Sequence, residues 1–234
     1  MTIGAAFVIA AIVLPTQLTA QESARLRRAR DAMVELIEQY GVRDTAVLRA
    51  MRSVPRHEFV PSRSRHLAYG DHPLPIGHGQ TISQPYIVAY MTEVLDLQPG
   101  MRVLEIGTGS AYQAAVLAEL DVTVYTMEIF APLAESAARR LERLGYDRVT
   151  VRHGDGHHGW PEVAPFDAVI VTAAAGYIPP ALTDQLRVNG TMVIPVGSVY
   201  GVQNLIYVEK GDDGTLRTRN LLPVRFVPML EGLR

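Results

Sequence analysis

The sequence reads Val103-Leu-Glu-Ile-Gly-Thr-Gly-Ser-Ala-Tyr112 near its middle, where a short apolar run meets a glycine-rich turn. Gly107 and Gly109 let the backbone turn tightly beside a ligand, because glycine adopts positive φ angles without steric cost. A helical pattern follows the turn and continues to about Leu120. In open α/β sheets, ligands bind where the parallel strands end, so a strand, a turn and a helix in this order predict a ligand site.

Short apolar runs alternate with helical patterns on both sides of this turn. Such alternation is typical of βαβ units and predicts an α/β fold with a mainly parallel sheet. The last strands have no helix between them, which indicates an antiparallel edge. The predicted strands cover residues 102–106, 122–127, 149–152, 167–172, 191–195, 205–209 and 225–227, and predicted helices cover 132–144 and 180–186.

Residues 21–98 differ in pattern from the α/β core that we predict at 99–234. Apolar residues recur there at helical spacing, which predicts helices over 24–39, 45–51 and 87–95. Residues 69–85 are dense in glycine, proline and histidine, and so are too punctuated for a helix or a central strand. Apolar residues interleave in this segment and favour an ordered loop, and long ordered loops are usually functional.

Residues 1–20 form an apolar tail. Residues 3–14 are apolar without interruption, and small residues precede Gln21, a pattern typical of a signal peptide. The run is shorter than the roughly 20 residues that a membrane-spanning helix needs. Arginines follow it closely, at Arg25, Arg27, Arg28 and Arg30, and such a bias favours retention in the cytoplasm. We expect a cytoplasmic protein, with export to the periplasm or membrane tethering as the alternative if the tail acts as a signal or anchor.

Composition excludes several classes of protein. The chain has 234 residues, 48% hydrophobic and 20% charged, which suits one large domain with an accessory segment and not a disordered chain. With 22 Lys and Arg against 24 Asp and Glu, the formal net charge of −2 argues against a nucleic-acid-binding protein with a broad basic face. Because there is no cysteine, disulfides, thiolate zinc sites and cysteine nucleophiles are excluded.

An acidic residue accompanies each of the first three strands of the core. Glu105 lies in the first strand, Glu128 follows the second, and Asp155 follows the third. Glu128 comes about 20 residues after the glycines, where an acidic residue typically binds ribose hydroxyls. A carboxylate beside the turn repels phosphate and suits a cation. S-adenosylmethionine is a ribose-bearing cation without phosphate, and it is the cofactor that these residues predict.

Three other chemistries fit the sequence less well. The dinucleotide fingerprint G-x-G-x-x-G requires glycine where this chain has Tyr112, so a nicotinamide-dependent dehydrogenase is disfavoured. Ser110 lacks the G-x-S-x-G elbow of a serine hydrolase. A metal site would have to use His153, His157 and His158, and the glycines between them prevent the helical spacing that brings histidines together.

Several stretches resemble the protein-L-isoaspartate O-methyltransferase family, over residues 24–230. The most specific is Pro73-Leu-Pro-Ile-Gly-His-Gly-Gln-Thr-Ile-Ser-Gln-Pro-Tyr86, and others are His153-Gly-Asp-Gly156, Pro165-Phe-Asp-Ala168 and Arg225-Phe-Val-Pro228. The glycine-rich turn is shared with many methyltransferases. The resemblance implies a Rossmann-like, seven-stranded methyltransferase sheet, mainly parallel with an antiparallel edge, and an N-terminal helical segment.

The resemblance also implies an activity. A member of this family is a protein repair enzyme that transfers a methyl group from S-adenosyl-L-methionine to the free α-carboxylate of L-isoaspartyl residues in damaged proteins and peptides. Isoaspartyl proteins and peptides are then the expected partners, with no nucleic acid and no metal, and the chain is expected to be a monomer. Methylation of another acceptor and a non-catalytic, cofactor-binding homologue are the alternatives.

Site residues follow from the matching motifs. The resemblance implies that Ser83 is the active-site serine, beside Thr81 and Ile82. Substrate contact by Ile82 and Phe226 is a hypothesis, and His78 either contacts substrate or packs within its loop. The residues implied for the cofactor pocket are Glu105, Gly107, Thr108, Gly109, Glu128, Asp155 and Gly156.

Ala111 is the clearest departure from the family pattern, which usually has glycine at this position. If the backbone there has a positive φ, alanine costs about 1 kcal/mol and tilts the turn. If φ is negative, alanine only adds a methyl group near the ligand. The two cases predict different effects on the cofactor site.

Overall fold

The computed structural model describes residues 15–232, with side chains from residue 21 onward, and the apolar run at 3–14 lies outside the described residues. No helix within this part of the chain combines the length and the apolar character that crossing a bilayer requires. The helices are α1 (Pro15–Gln39), α2 (Thr45–Ser53), α3 (Pro85–Val94), α4 (Tyr112–Ala118), α5 (Ala131–Leu144) and α6 (Pro180–Asp184). The strands are β1 (Leu74–Gly77), β2 (Gln80–Ile82), β3 (Arg102–Ile106), β4 (Thr123–Glu128), β5 (Val149–His153), β6 (Phe166–Val171), β7 (Leu186–Gly197), β8 (Gln203–Lys210) and β9 (Leu216–Val224).

The main sheet has seven strands in the order β5-β4-β3-β6-β7-β8-β9. Strands β3 to β7 pair in parallel, whereas β8 pairs antiparallel with both β7 and β9. This confirms the predicted α/β class, the mainly parallel sheet and its antiparallel edge. The strand order reverses between β3 and β6, and ligands bind at such a switch point in open α/β sheets.

Alternate residues of the central strands pack on opposite faces of the sheet, as the pleat requires. Val103 joins the cluster beneath the N-terminal helices, and its neighbour Leu104 joins the cluster beneath α6. The N-terminal cluster runs continuously from Met33 and Ile37 of α1 to Leu117 of α4. The N-terminal helices therefore share one hydrophobic core with the sheet.

The loop predicted at residues 69–85 contains a short hairpin of β1 and β2. Leu74 and Ile82 pair across it and are only 4% and 3% exposed, so the hairpin is anchored by its own apolar side chains. Ile76 reaches the glycine-rich turn, because a Cβ built on Gly109 would lie 3.3 Å from its Cδ1. The ordered loop is thus confirmed, and it lies against the turn after β3.

The predicted final strand at residues 225–227 is wrong. The last strand of the described chain is β9, and residues 225–227 follow it as irregular structure. β9 begins Leu216-Arg-Thr-Arg-Asn220 and its first five residues are exposed, because it is the outermost strand of the sheet. An edge strand exposed on both faces has no apolar alternation, and the sequence pattern therefore did not reveal it.

Ala111 has a left-handed backbone, with φ 68° and ψ 15°, and it precedes α4 with its side chain fully buried. Replacing Ala111 with glycine is expected to raise the free energy of unfolding by about 0.5–1 kcal/mol, because glycine adopts this conformation without a Cβ clash. The melting temperature should rise by about 1–4 °C. Ala114→Gly, within α4, is the control and should lower it, and a lower melting temperature for Ala111→Gly contradicts the argument.

Candidate active site

A cleft lies where β3, β4 and β6 end, at the switch point of the sheet. The glycine-rich turn after β3 forms its floor, and residues following β4, β5 and β6 form its sides. The C-terminal residues 227–230 and the hairpin strand β2 close it on the remaining sides. Of the residues implied for a cofactor pocket, those lining the cleft are Glu105, Gly107, Thr108, Gly109, Glu128 and Gly156.

Backbone hydrogen bonds fix the glycine-rich turn. The N–H groups of Gly107 and Thr108 both donate to the Met127 carbonyl oxygen, at 2.9 and 3.1 Å. The hydroxyl of Thr172 donates to the Gly107 carbonyl oxygen at 2.7 Å. Gly107 has φ +99°, and a Cβ there would lie 2.5 Å from Thr172 Oγ1. The position therefore requires glycine for two reasons, backbone conformation and space.

Glu128 ends β4 and is 5% exposed. Its Oε2 accepts a hydrogen bond from the Gly109 N–H at 2.7 Å, and its Oε1 accepts one from the Phe130 N–H at 3.0 Å. A carboxylate has about four acceptor sites, so two remain for a ligand in the cleft. Glu128 is thus rigidly placed to accept hydroxyl donors such as those of a ribose.

Glu105 is a buried carboxylate without a partner. It is fully buried, and neither of its oxygens accepts a hydrogen bond from the described residues. Burial raises the pKa of Glu105 to about 8, the nearby Thr126 hydroxyl lowers it, and the charge of Glu128 raises it further. An unpaired buried acid is costly, so the site favours a cation or a hydrogen-bond donor in the cleft. These residues fit S-adenosylmethionine.

Asp155 is not among the residues that line the cleft, whereas its neighbours Gly154 and Gly156 are. Its carboxylate accepts hydrogen bonds from the backbone N–H and the ring Nδ1 of His157, at 2.9 and 3.0 Å, and from the Gly232 N–H at 2.7 Å. Burial raises its pKa, but these hydrogen bonds more than offset that effect, and the pKa lies below its ordinary value. A role for Asp155 in cofactor binding stays a prediction.

A second cavity, of about 440 Å³, adjoins the cleft. Its walls are mainly apolar and include Ile87, Val202 and Phe226. Four residues line both spaces and form the junction between them, namely Thr81, Ser83, Thr172 and Val227. No hydrogen bond among the described residues engages the Ser83 hydroxyl, which is therefore free to bind a ligand that reaches the junction from either side.

The remaining candidate substrate residues lie at different places. Ile82 is buried in the hairpin and lines the cleft next to Ser83. His78 lies in the exposed turn of the hairpin, outside both linings, and its ring stacks on Phe130 with centroids 5.8 Å apart. The ring of His78 therefore packs on a residue outside its own loop, and a substrate contact by it stays a prediction.

Several parts of the cleft were missed in the sequence, and three of them are instructive. Phe130 follows Glu128 and Thr172 follows β6, and both lie at strand ends, so the strand-end rule contained the signal that could have found them. Residues 227–230 reach the cleft because two backbone hydrogen bonds hold them beside Ala174. The Ala174 N–H donates to the Val227 carbonyl oxygen and the Met229 N–H donates to the Ala174 carbonyl oxygen, both at 2.8 Å. The motif at residues 225–228 was predicted to contact substrate, but nothing in the local sequence indicates that the chain returns here to the cofactor cleft.

The histidines near β5 do not assemble a metal site. His153 Nε2 lies 3.1 Å from the Ile129 carbonyl oxygen, and His157 is paired with Asp155. Among residues 15–232, no three His, Asp or Glu side chains converge in a way that could hold a metal ion.

Comparisons with known proteins agree with this geometry. A family model described as Protein-L-isoaspartate(D-aspartate) O-methyltransferase matches residues 27–234. "Protein-L-isoaspartate O-methyltransferase 2" of Syntrophobacter fumaroxidans is 60% identical over 189 residues, which are 81% of this chain and 76% of that protein. "Protein-L-isoaspartate O-methyltransferase 1" of Cupriavidus necator is 51% identical over 229 residues, 94% of this chain and 88% of that protein.

Two solved structures are similar over most of this chain. A protein-L-isoaspartate O-methyltransferase superposes with a TM-score of 0.78 at 32% identity, over 87% of this chain and 66% of its own length. A Plasmodium falciparum protein described under the same activity, in complex with S-adenosyl-L-homocysteine, has a TM-score of 0.76 at 26% identity, over 87% of this chain and 99% of its own.

Proposed function

This chain belongs to the protein-L-isoaspartate O-methyltransferase family, and we propose that the family's reaction takes place at the junction of the cleft and the second cavity, with Ser83 between them. The enzyme transfers a methyl group from S-adenosylmethionine to the isoaspartyl carboxylate of damaged proteins. The observation that supports the proposed site is the junction itself. Thr81, Ser83 and Thr172 border an acidic cleft on one side and an apolar, peptide-sized cavity on the other.

The cleft suits the cofactor through its acidic residues. S-adenosylmethionine, when bound, supplies a methyl group carried on a positively charged sulfur. Glu128 would accept the ribose hydroxyls, because two of its acceptor sites are free and the others are held by backbone N–H groups. Glu105 would balance the positive charge from below. Gly107 keeps the floor of the cleft packed closely against Thr172, with which any side chain at this position would collide.

Ser83 binds the substrate carboxylate and does not attack it. A carboxylate with an ordinary pKa of about 4 is ionised at neutral pH, so the acceptor needs no general base. The chain must instead remove water from the carboxylate and align it. Alignment as a whole supplies about 7–11 kcal/mol in well-oriented reactions, and a free hydroxyl at the junction is placed to contribute part of it.

The second cavity would distinguish isoaspartate from aspartate by shape. An isoaspartyl residue carries its free carboxylate on the α-carbon, and its backbone contains one extra methylene group. Phe226 forms part of the wall, and its N–H donates to Gln203 Oε1 at 2.9 Å. The same Gln203 side chain donates to the Ser198 carbonyl oxygen at 2.6 Å. The buried Gln203 amide therefore fixes the backbone of Phe226, one residue of the cavity wall.

A labelled-methyl assay tests the proposal. The enzyme and radiolabelled S-adenosylmethionine are incubated with an isoaspartyl peptide, and the matching aspartyl peptide serves as the control. Label should enter the isoaspartyl peptide alone. Equal labelling of both peptides would favour a methyltransferase of another acceptor, and failure to bind the cofactor in calorimetry would favour a non-catalytic homologue.

Cofactor affinity should rise with pH because of Glu105. Its pKa of about 8 leaves it largely protonated at neutral pH, and a bound cation favours the ionised form. Binding of S-adenosylmethionine should therefore release a proton and strengthen by up to about tenfold per pH unit between about pH 6 and 8. Calorimetry in buffers of different ionisation enthalpy measures both the affinity and the proton release.

Glu105→Gln is the control for this prediction, since it removes the titrating group and should flatten the pH dependence. The pH dependence of the free energy of unfolding of the ligand-free protein provides a second check. Because the pKa of Glu105 is raised from 4.5 to about 8 on folding, its contribution to stability is full below about 4.5 and is lost as pH rises through about 8. Equal cofactor affinity at about pH 6 and about pH 8 would contradict the role given to Glu105.

The compartment and the assembly state are also proposals. The arginines that follow the apolar tail support a cytoplasmic location over export, and N-terminal sequencing of the protein from cell fractions would test it. For the assembly state, we propose that the enzyme is active as a monomer. Light scattering during size-exclusion chromatography measures that state.

A further inference from the structure

Arg56 is a buried cation behind the junction. Its side chain is fully buried, and no carboxylate of the described residues forms an ion pair with it. Burial lowers its pKa to about 10, so it is still charged at neutral pH. Burying an unpaired charge is expensive, and an apolar residue of similar size often stabilises a core as well or better. The arginine therefore points to a need for its hydrogen-bonding geometry.

The guanidinium of Arg56 joins two sides of the active site. Its Nε donates to the Ala68 carbonyl oxygen and its Nη2 to the Ser83 carbonyl oxygen, both at 2.8 Å. Nη2 also lies 3.5 Å from the His72 carbonyl oxygen. The guanidinium carbon lies 4.7 Å from the ring centre of Tyr112, the first residue of α4 after the glycine-rich turn. Arg56 thus touches the backbone of Ser83 and the helix of the cofactor cleft.

Asp71 binds the other end of the same segment. Its Oδ2 accepts a hydrogen bond from Gln84 Nε2 and its Oδ1 accepts one from the Tyr86 N–H, both at 2.8 Å. Residues 83–86 are therefore bound through a backbone carbonyl at one end and a backbone N–H at the other. Ser83 lies within this doubly held segment, and its side chain remains free.

We propose that Arg56 and Asp71 are positioning residues that act as a two-point clamp on the segment that carries Ser83, setting its hydroxyl relative to the cofactor cleft. The proposal rests on the proposed role of Ser83 in binding the substrate carboxylate. Methyl transfer requires alignment of the acceptor with the donor, and a displacement of about 1 Å can reduce a rate about 100-fold. The clamp provides that alignment without touching the substrate.

Arg56→Lys and Asp71→Asn test the clamp. A lysine ammonium cannot span two carbonyl oxygens in the fork geometry of a guanidinium, and an asparagine keeps only one acceptor oxygen. We expect kcat/KM for an isoaspartyl peptide to fall about tenfold or more in each variant, mainly through kcat. The dissociation constant of S-adenosylhomocysteine should stay within about threefold of that of the parent protein.

Rates are expressed per cofactor-binding site, counted by titration with S-adenosylhomocysteine, so that a loss of folded protein does not register as a loss of rate. Arg139→Lys and Asp184→Asn, both exposed and remote from the junction, are the matched controls and should leave the rate unchanged. If Arg56→Lys does not fold, the rate per site of Asp71→Asn tests the proposal on its own. Rates per site within about threefold of the parent, or an equal loss of cofactor affinity, would overturn the clamp.

A double-variant cycle tests whether the clamp acts through Ser83. Arg56→Lys should reduce kcat/KM much less in a Ser83→Ala background than in the parent, because the group that it positions is absent. Independent, multiplying losses would contradict the proposal. If Ser83→Ala itself has parental activity, the proposed function of Ser83 fails instead, and the two failures are thereby distinguished.

Discussion

Replacing Glu128 with alanine is expected to weaken the binding of S-adenosylmethionine about 100-fold or more. The carboxylate accepts hydrogen bonds from the Gly109 and Phe130 N–H groups and has acceptor sites left for the ribose. Hydrogen bonds to a charged group contribute about 1.5–3 kcal/mol each, and the two backbone N–H groups would lose their partner in the variant. Calorimetry with S-adenosylhomocysteine measures the loss directly.

Glu128→Gln refines this prediction. The amide keeps one acceptor oxygen but turns an NH2 group toward a backbone N–H, so the loss should be nearly as large as in Glu128→Ala. Glu135→Gln, on the exposed face of α5, is the control and should leave the affinity unchanged. An affinity within about threefold of the parent for Glu128→Ala would show that the carboxylate does not contact the cofactor.

Ser83→Ala is expected to reduce kcat/KM for an isoaspartyl peptide about 30-fold, which corresponds to about 2 kcal/mol. The hydroxyl lies at the junction of the two spaces and is free of other hydrogen bonds within the described chain. Its loss leaves the acceptor carboxylate less well aligned, while the cofactor cleft keeps its acidic residues. Methyl transfer should therefore weaken without a parallel change in S-adenosylhomocysteine affinity.

Two comparisons make the Ser83 prediction specific. Ser83→Thr keeps a hydroxyl and should retain more activity than Ser83→Ala. Ser62→Ala removes a hydroxyl remote from the junction and should have no effect. Parental kcat/KM for Ser83→Ala would remove the serine from the mechanism, and a matching loss of cofactor affinity would place its effect in the cleft instead of on the acceptor.

Most of the sheet could be predicted from the sequence, because its buried strands form apolar runs. A glycine or an acidic residue often follows or ends such a run. The pattern around Gly107 identified β3 and its turn, and Glu128 marked the end of β4. The positions of these side chains follow from strand order alone, since the carboxyl ends of parallel strands meet at one edge. The cofactor side of the site was therefore largely contained in local sequence.

The remaining features depend on contacts between distant parts of the chain. The first five residues of β9 show no apolar alternation, because both faces of the strand are exposed there. The positive φ of Ala111 could not be read from an alanine, which ordinarily avoids it. The hydrogen bonds of Arg56 span up to 27 residues, and in the sequence this arginine looks like one of many charged surface residues.

A repair enzyme works among aged proteins that are partly unfolded, and loose strands from such proteins readily add to an open sheet. The outermost strand of this sheet presents Arg217, Thr218, Arg219 and Asn220 to solvent in place of an apolar row. Charged side chains on an exposed edge make the attachment of a foreign strand unfavourable. The enzyme can therefore bind damaged proteins at its active site, while the charged edge of its own sheet disfavours coaggregation with them.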